Sequence, residues 1–512
     1  MSALAVKPEK YTFPSACKRP VLLLHYRPSI IRVSVQCELL AKLSLDWLFT
    51  MQLPRFFTIF ILPFLLPLIA CADDWPQWMG PQRDGVWRES GLIQTFPESG
   101  PTFLWKQPVG GGYSGPAVVG NSVFLTDRIL PTGIKDPDNP FQKSSSGGFE
   151  RVICFDAATG KPQWTHQYPV NYSIQYPCGP RATPLFSDGN LYTLGAMGHL
   201  LCLNAKDGKP VWKRDFTSEF GAPVPIWGFS AHPLLVGNAL ITLVGGKDGS
   251  SVAMAFHKST GEVLWKSLSL KSPQSEIGYC PPTLINSHGK SIVIIWHSEA
   301  VCALEPDSGK VLWEVPFKLK ANLSVPTPKL SGDNLLVSSF YNGSMLLRLN
   351  PNGDIPAIVW KGQGRGETPK QTDGLHSIMA TPMIDGDYFY GVCSYGELRC
   401  LRMRDGVRVW ENLTATGSAR EPVERWANAF LIRQDKRTIL FNEKGDLIIA
   451  QLSPTAYQEI SRTHLLDPTG IAPGGGASRK IVWSHPAFAR KCVFARNDKE
   501  LVCVSMASQQ QK

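Results

Sequence analysis

Residues Val152–Trp164 read VICFDAATGKPQW, and the chain repeats that pattern five more times. LLCLNAKDGKPVW ends at Trp212, VAMAFHKSTGEVLW at Trp265, AVCALEPDSGKVLW at Trp313, LLRLNPNGDIPAIVW at Trp360 and LRCLRMRDGVRVW at Trp410. The successive tryptophans lie 48, 53, 48, 47 and 50 residues apart, a period that fits propeller blades and is too long for leucine-rich or ankyrin repeats. Each copy is an alternating apolar strand, an Asp-type residue, a turn closed by glycine, and a tryptophan on the next strand. Glycine supplies the positive φ of a short bulged hairpin loop, and Asp and Thr bond to local backbone. In five copies the tryptophan follows the glycine (Gly160, Gly208, Gly261, Gly309, Gly406) by four residues, whereas Gly353 and Trp360 are seven apart. A large side chain at a fixed phase in every repeat is suited to docking one small sheet on the next.

Counting fixes the architecture. Strand openings occur at Ser114, Arg181, Ser230, Tyr279, Ser324, Ile378, Trp426 and Ser484. Outer strands carry Trp105, Trp164, Trp212, Trp265, Trp313, Trp360, Trp410 and, in a degenerate copy, Ile460. Thr102–Val109 has a tryptophan strand without its hairpin, while Ser484–Met506 supplies three strands and stops. The expected fold is therefore all-β: an eight-bladed β-propeller of four-stranded antiparallel blades over residues 102–506, closed by the N-terminal strand so that no edge stays unpaired. A seven-bladed ring is the alternative if the unit at Trp426 is incomplete. The Trp-, Pro- and Gly-rich stretch 73–101 is expected to pack as an irregular lead-in across an outer face, and residues 507–512 form a tail. Insertions at Ile129–Phe149, Lys361–His376 and Pro454–Lys480 break the rhythm.

The first 72 residues stand apart. Met51–Ala72 has a basic start at Arg55, an apolar stretch from Phe56 to Ala70 broken by Pro63 and Pro67, and small residues at its end, the layout of a secretory signal. Residues 1–50 are then an upstream extension, with Met51 the true start. Ala70-Cys71-Ala72 fits ordinary cleavage, and Leu68–Cys71 resembles a lipoprotein acylation site, which makes Cys71 a candidate lipid anchor and the only expected membrane attachment. The expected location is outside the cytoplasm, periplasmic or extracellular. Of the formal net charge of +10, five units lie in residues 1–72. The mild remainder speaks against nucleic-acid binding.

Nine cysteines follow Cys71. Cys154, Cys202, Cys302, Cys400 and Cys503 recur on the same strand of different repeats and are expected to be core thiols. Cys492 and Cys503 face each other if their hairpin turns at Asn497-Asp498, which would allow a cross-strand disulfide. There is no CxxC, and no two histidines have metal-ligand spacing on one strand, so no metal site is expected.

The combination of strand, Asp, Thr-Gly and Trp at this period resembles the tryptophan-docking repeat of quinoprotein propellers, the proteins with pyrroloquinoline-quinone-like repeats. Of that group, the chain looks more like the non-catalytic outer-membrane protein assembly factor (BamB-like) branch than the quinoprotein alcohol dehydrogenases. By that resemblance, a dehydrogenase would need an adjacent cysteine pair against the quinone, a calcium or lanthanide ion held by carboxylate and amide oxygens, and an Asp base. No Cys-Cys occurs. Asp373 and Glu367 lie in a suitable loop, but the full set cannot be assigned, and no catalytic residue is named. The resemblance thus implies an exported, non-catalytic scaffold for an envelope or secreted protein partner. A quinone- and calcium-dependent oxidoreductase is the alternative, and a small-molecule or glycan binder is another.

In a propeller the mouths of the innermost strands converge on the axis. Here they contribute Ser114, Arg181, Trp227, His232, Tyr279, His376, Trp426 and His485. Arg, His and Trp are costly at a crowded apolar axis unless paired with each other or with a ligand. Arg181, Trp227, His232, His376, Trp426 and His485 are therefore the candidate ligand-binding set, suited to a planar or anionic small molecule.

Overall fold

The computed structural model describes residues 73–508, apart from 363, 365, 419–423 and 474–477. The extension, the leader, Cys71 and residues 509–512 lie outside the described residues. Blade 1 is formed by Ala117–Val119, Ser122–Ile129, Gly147–Asp156 and Pro162–Asn171, paired antiparallel in that order. Blades 2 to 7 repeat the order, starting at inner strands Leu185–Ser187, Leu234–Val236, Thr283–Ser287, Lys329–Ser331, Met383–Asp385 and Ala429–Gln434. Blade 8 joins Ala487–Ala489, Cys492–Arg496 and Glu500–Ser505 to Phe103–Pro108 from the other end of the chain. Trp105 pairs with Cys503 and Pro108 with Glu500, so the ring closes as eight four-stranded blades.

Proline sets where the inner strands begin. In seven blades the first ladder residue directly follows a proline: Pro116, Pro184, Pro233, Pro282, Pro328, Pro382 or Pro486. A residue without an N–H cannot join a ladder internally but can open an edge strand. The residues just before these prolines are thus left free of the sheet, at the axis.

Tryptophan docking holds neighbouring blades together. The indole Nε1 of Trp105 donates to Ala157 O of the next blade at 2.9 Å, and Trp164, Trp212, Trp265, Trp360 and Trp410 make the same bond at 2.8–3.0 Å to Ala205, Lys258, Pro306, Met403 and Ser453. The rings lie on the turn glycines. A Cβ on Gly160 would stand 2.6 Å from Trp105, and one on Gly208 2.4 Å from Trp164. Gly353, in the stretched copy, has open space there. Asp156 ties its turn by accepting from Ala158 N, Thr159 N and Thr159 Oγ1. Those Thr159 bonds hold its carboxyl below the usual range.

Small residues face the indoles across the sheet. Cys154 pairs with Trp164, Cys202 with Trp212, Cys400 with Trp410 and Cys503 with Trp105, and these thiols are buried and free. Cys492 and Cys503 are also free, and they are not directly opposed: Cys492 pairs with Ser505 and Cys503 with Phe494. Asn497 explains the shift. Its N–H donates to Glu500 O, and its side-chain oxygen accepts from Lys499 N and Glu500 N. The turn is therefore longer than an Asn-Asp two-residue loop, and the register moves by two.

Residues 75–87 of the lead-in lie across one axial end of the ring, and its later part reaches the outer strand of blade 7, where Phe96 N donates to Ser461 Oγ at 2.9 Å. Trp75 bridges to Val118 of blade 1, Val86 to Arg433 of blade 7, and Leu92 to Ala507. Arg83 donates to the carbonyl of Pro233 at 2.9 Å, and also to those of His232 and Pro282. Lys329 donates to Asp84 O at 2.8 Å, and burial lowers its ammonium pKa to about 8. Three tryptophans of this segment (Trp75, Trp78, Trp87) are buried. Their apolar area is lost to water only where the inner strands leave a hole to fill. Among the described residues no helix is long and apolar enough to cross a membrane.

Candidate ligand cavity on the propeller axis

The segments that precede the eight inner strands converge on a single cavity of about 340 Å³, within the size range of small-molecule sites. Arg181, Trp227, His232, Tyr279, Trp426 and His485 all line it. Ser114 and His376 do not. Ser114 is buried, donating to Thr126 O. His376 is buried between blades 5 and 6, with Nδ1 2.9 Å from Phe340 O and its ring packed under Gly343 and Gly364. Burial lowers its pKa to about 4.

Trp78 of the lead-in forms the floor. Its ring stacks on His232 at 4.0 Å between centroids and 9° between planes, it lies 4.7 Å from His485, and its Nε1 donates to Thr327 Oγ1 at 2.9 Å. His232 accepts from Thr183 N through Nδ1 at 2.8 Å, which places the proton of the neutral ring on Nε2. Burial pushes His232 far below the usual histidine value and His485 to about 4, so both are neutral at pH 7.

Aromatic rings make the walls. Trp227 packs against Tyr279 at 5.5 Å and Tyr176 against Trp483 at 5.9 Å. Phe141, carried by the blade 1 insertion, meets Tyr176 edge-on at 5.5 Å and Trp426 at 5.6 Å. At the rim, Arg425 lies 4.3 Å from the Trp426 ring and donates to Glu367 at 2.8 Å. Arg181 donates to the carbonyls of Gly179, Gln175 and Tyr176 and sits 5.2 Å over Tyr113. Tyr176, Ala321 and Trp426 have φ of +51°, +57° and +64°, a region that bulky L-residues enter only under constraint.

Four donors in this wall have no hydrogen-bond partner among the described residues: Tyr176 Oη, Trp227 Nε1, Trp426 Nε1 and Arg425 Nε. Tyr176 is 8 % exposed and Trp426 7 %. Buried polar groups are otherwise almost always satisfied, and each orphan costs about 1–3 kcal/mol. A bound molecule that accepts these hydrogen bonds recovers that cost.

Trp78, Tyr176 and Phe141 escaped the sequence reading because none sits at a strand opening. Tyr176 lies five residues upstream of one. Trp78 belongs to the stretch expected on an outer face. Arg425 adjoins a residue that the repeat pattern does single out.

The family model described as outer membrane protein assembly factor BamB matches residues 148–412. The chain belongs to this family. No curated protein matches the sequence. Among solved structures, BamB from Moraxella catarrhalis is similar at 13 % identity and a TM-score of 0.50, covering 80 % of this chain and 99 % of that one. The quinohemoprotein alcohol dehydrogenase from Comamonas testosteroni is similar at 11 % identity and 0.53, covering 86 % and 81 %. A europium-containing methanol dehydrogenase is similar at 13 % and 0.50, covering 84 % and 89 %. At such identities the likeness shows the fold alone: an assembly factor and dehydrogenases share this ring.

A quinone with calcium can be tested against the residues present. Calcium takes six to eight oxygen ligands, mostly carboxylate and carbonyl. Among the described residues no Asp, Glu, Asn or Gln side chain lines the cavity. Glu367, the rim carboxylate described above, is bonded to Arg425 and accepts from Tyr395. The aromatic faces would accept a flat ring, but among the described residues the cation's ligand set is missing, and those residues do not fit the pair.

Proposed function

We propose that this chain is a non-catalytic binding propeller of the cell envelope or extracellular space, and that the axial cavity is its ligand site. The observation that carries this is the set of buried, unpartnered donors, Tyr176 Oη, Trp227 Nε1 and Trp426 Nε1, in a wall that is mostly aromatic and aliphatic. Export is supported by the leader-like Met51–Ala72. The absence of a Cys-Cys pair from the sequence, and of lining carboxylates among the described residues, supports a binding role over a quinone-dependent oxidation. Thermal shift and calorimetry of the purified protein against a library of small aromatic and sugar compounds test it. Binding that is lost in Trp426→Ala is the expected result, and a library without a single binder refutes it.

Family membership favours a second role, in which the rim also holds an envelope or secreted protein partner. Crosslinking in intact cells, repeated with Cys71→Ser to remove the candidate lipid anchor, tests this. Recovery of the same crosslinked partner with and without the anchor supports it, and no specific partner in either case refutes it.

A further inference from the structure

We infer, dependent on the binding function just proposed, that the ligand of the axial cavity is a flat ring bearing a single oxyanion and is not a neutral sugar. The sign of the polar groups carries this. Sugar hydroxyls donate as well as accept, so a buried sugar site must offer acceptors. The unpartnered side-chain atoms here are indole, guanidinium and phenol groups, of which only the phenol can also accept. Tyr176 Oη, the two indole N–H groups of Trp227 and Trp426, and Arg425 Nε are all unpartnered among the described residues. His232 adds an Nε2–H, because its Nδ1 is already taken by Thr183 N.

Three carboxylates near the cavity are engaged elsewhere, and a fourth, Glu424, pairs with Lys444 at 3.5 Å and keeps Oε2 without a partner among the described residues. Glu276 receives Tyr279 Oη at 2.7 Å and Ile226 N at 3.2 Å. Glu443 receives Trp483 Nε1 at 2.9 Å and Arg479. Glu367 holds Arg425 at 2.8 Å. None of these carboxylates lines the cavity. A ligand rich in acceptors and poor in donors is what such a wall satisfies.

The charge count points the same way. Arg425 is neutralised by Glu367. Arg181 is held only by three backbone carbonyls and the face of Tyr113 among the described residues. Carbonyl dipoles orient a guanidinium without cancelling its charge, and His232 and His485 are neutral at pH 7. Of the described side chains that line the cavity, Arg181 is then the one cation without a carboxylate in ion-pair contact, with Glu276 bonded to Tyr279 outside the lining, and it selects one negative charge in the ligand. The rings of Trp227, Tyr176 and Trp426 supply faces for stacking.

Three probes test this on the purified full chain by calorimetry: 2-naphthoate, its uncharged amide 2-naphthamide of the same size, and the disaccharide cellobiose. Naphthoate is expected to bind about 10-fold more tightly than the amide, and Arg181→Gln to erase that preference. Tyr176→Phe, which keeps the ring, and Trp227→Phe, which keeps a smaller aromatic face, remove one donor each and are expected to weaken naphthoate by about 2- to 10-fold. They also serve if Arg181→Gln fails to fold. Equal affinity for acid and amide, or tighter binding of cellobiose, overturns the ligand class and leaves the binding function standing. No binding by any probe overturns both.

Discussion

Gly160 and Gly353 occupy the same turn of the repeat, and the structure predicts opposite tolerance to the same substitution. Both have positive φ, +73° and +83°. Alanine therefore carries the same left-handed backbone penalty at each, about 1–2 kcal/mol. The surroundings differ. At Gly160 the new Cβ would lie 2.6 Å from Trp105 Cδ2 and 2.8 Å from Cε3, while at Gly353 nothing stands within 4 Å. Carbon atoms settle at about 3.5–4.0 Å, so the Trp105 ring must retreat by about 1 Å. That retreat stretches its 2.9 Å bond to Ala157 O, worth about 1 kcal/mol. It also forfeits part of the packing of a side chain that is only 8 % exposed, for which complete removal costs about 3–5 kcal/mol. Gly160→Ala should thus exceed Gly353→Ala by about 2–4 kcal/mol. Urea unfolding of the two variants beside the parent, followed by tryptophan fluorescence, measures the gap. Equal losses, or a larger loss at Gly353, would mean that indole-on-glycine contact does not hold adjacent blades together.

Three further outcomes are expected. Arg496 is fully buried and donates to Thr126 O at 3.0 Å, Asn497 O at 2.9 Å and Gly110 O, joining blade 8 to the strands near blade 1. Arg496→Leu removes three buried hydrogen bonds of a charged donor and should cost at least about 3 kcal/mol in chemical denaturation, whereas Arg404→Leu, at a side chain 78 % exposed, should stay within about 0.5 kcal/mol. His232 and His485 are held below the ordinary histidine pKa of about 6.5 by burial, His485 at about 4. The unfolded chain therefore binds more protons between pH 6.5 and 4, so stability is complete above that window and falls on acidification by up to about 1.4 kcal/mol per pH unit per histidine. The double variant His232→Gln/His485→Gln should flatten the slope, and an unchanged slope would assign it to other groups. Trp78→Ala removes the stacked floor and should cost about 3–5 kcal/mol, with a loss of ligand binding in the same calorimetric assay.

The ring was legible because its signal is redundant. Six copies of one hairpin give the same period, so the degenerate copy with Ile460 and the split blade at Trp105 could be placed by counting. The axial residues were legible in part for a related reason: openings such as CGPRATP and WSHP end in the proline that begins an inner strand, which puts Arg181 and His485 at the mouth. His376 departs because LHSIMATP enters its strand only at Met383, seven residues further on, leaving room for the histidine to turn under Gly343 and Gly364. Trp78 was not legible, since nothing periodic locates an irregular segment. Its place follows from a hole that exists only once eight blades surround it. The Cys492 register failed for a local cause, the Asn497 side chain bonding two successive backbone N–H groups.

Because blade 8 borrows Phe103–Pro108 from the front of the molecule, its earliest strand must wait for the last one to be synthesised. Until Glu500–Ser505 arrives, that strand has a bare edge, open to pairing with a neighbouring chain. Ribosomal stalling or nicking near the C-terminus would therefore release sticky, unlatched arcs in place of a slightly shortened wheel, and cells that make this protein need to deliver it whole.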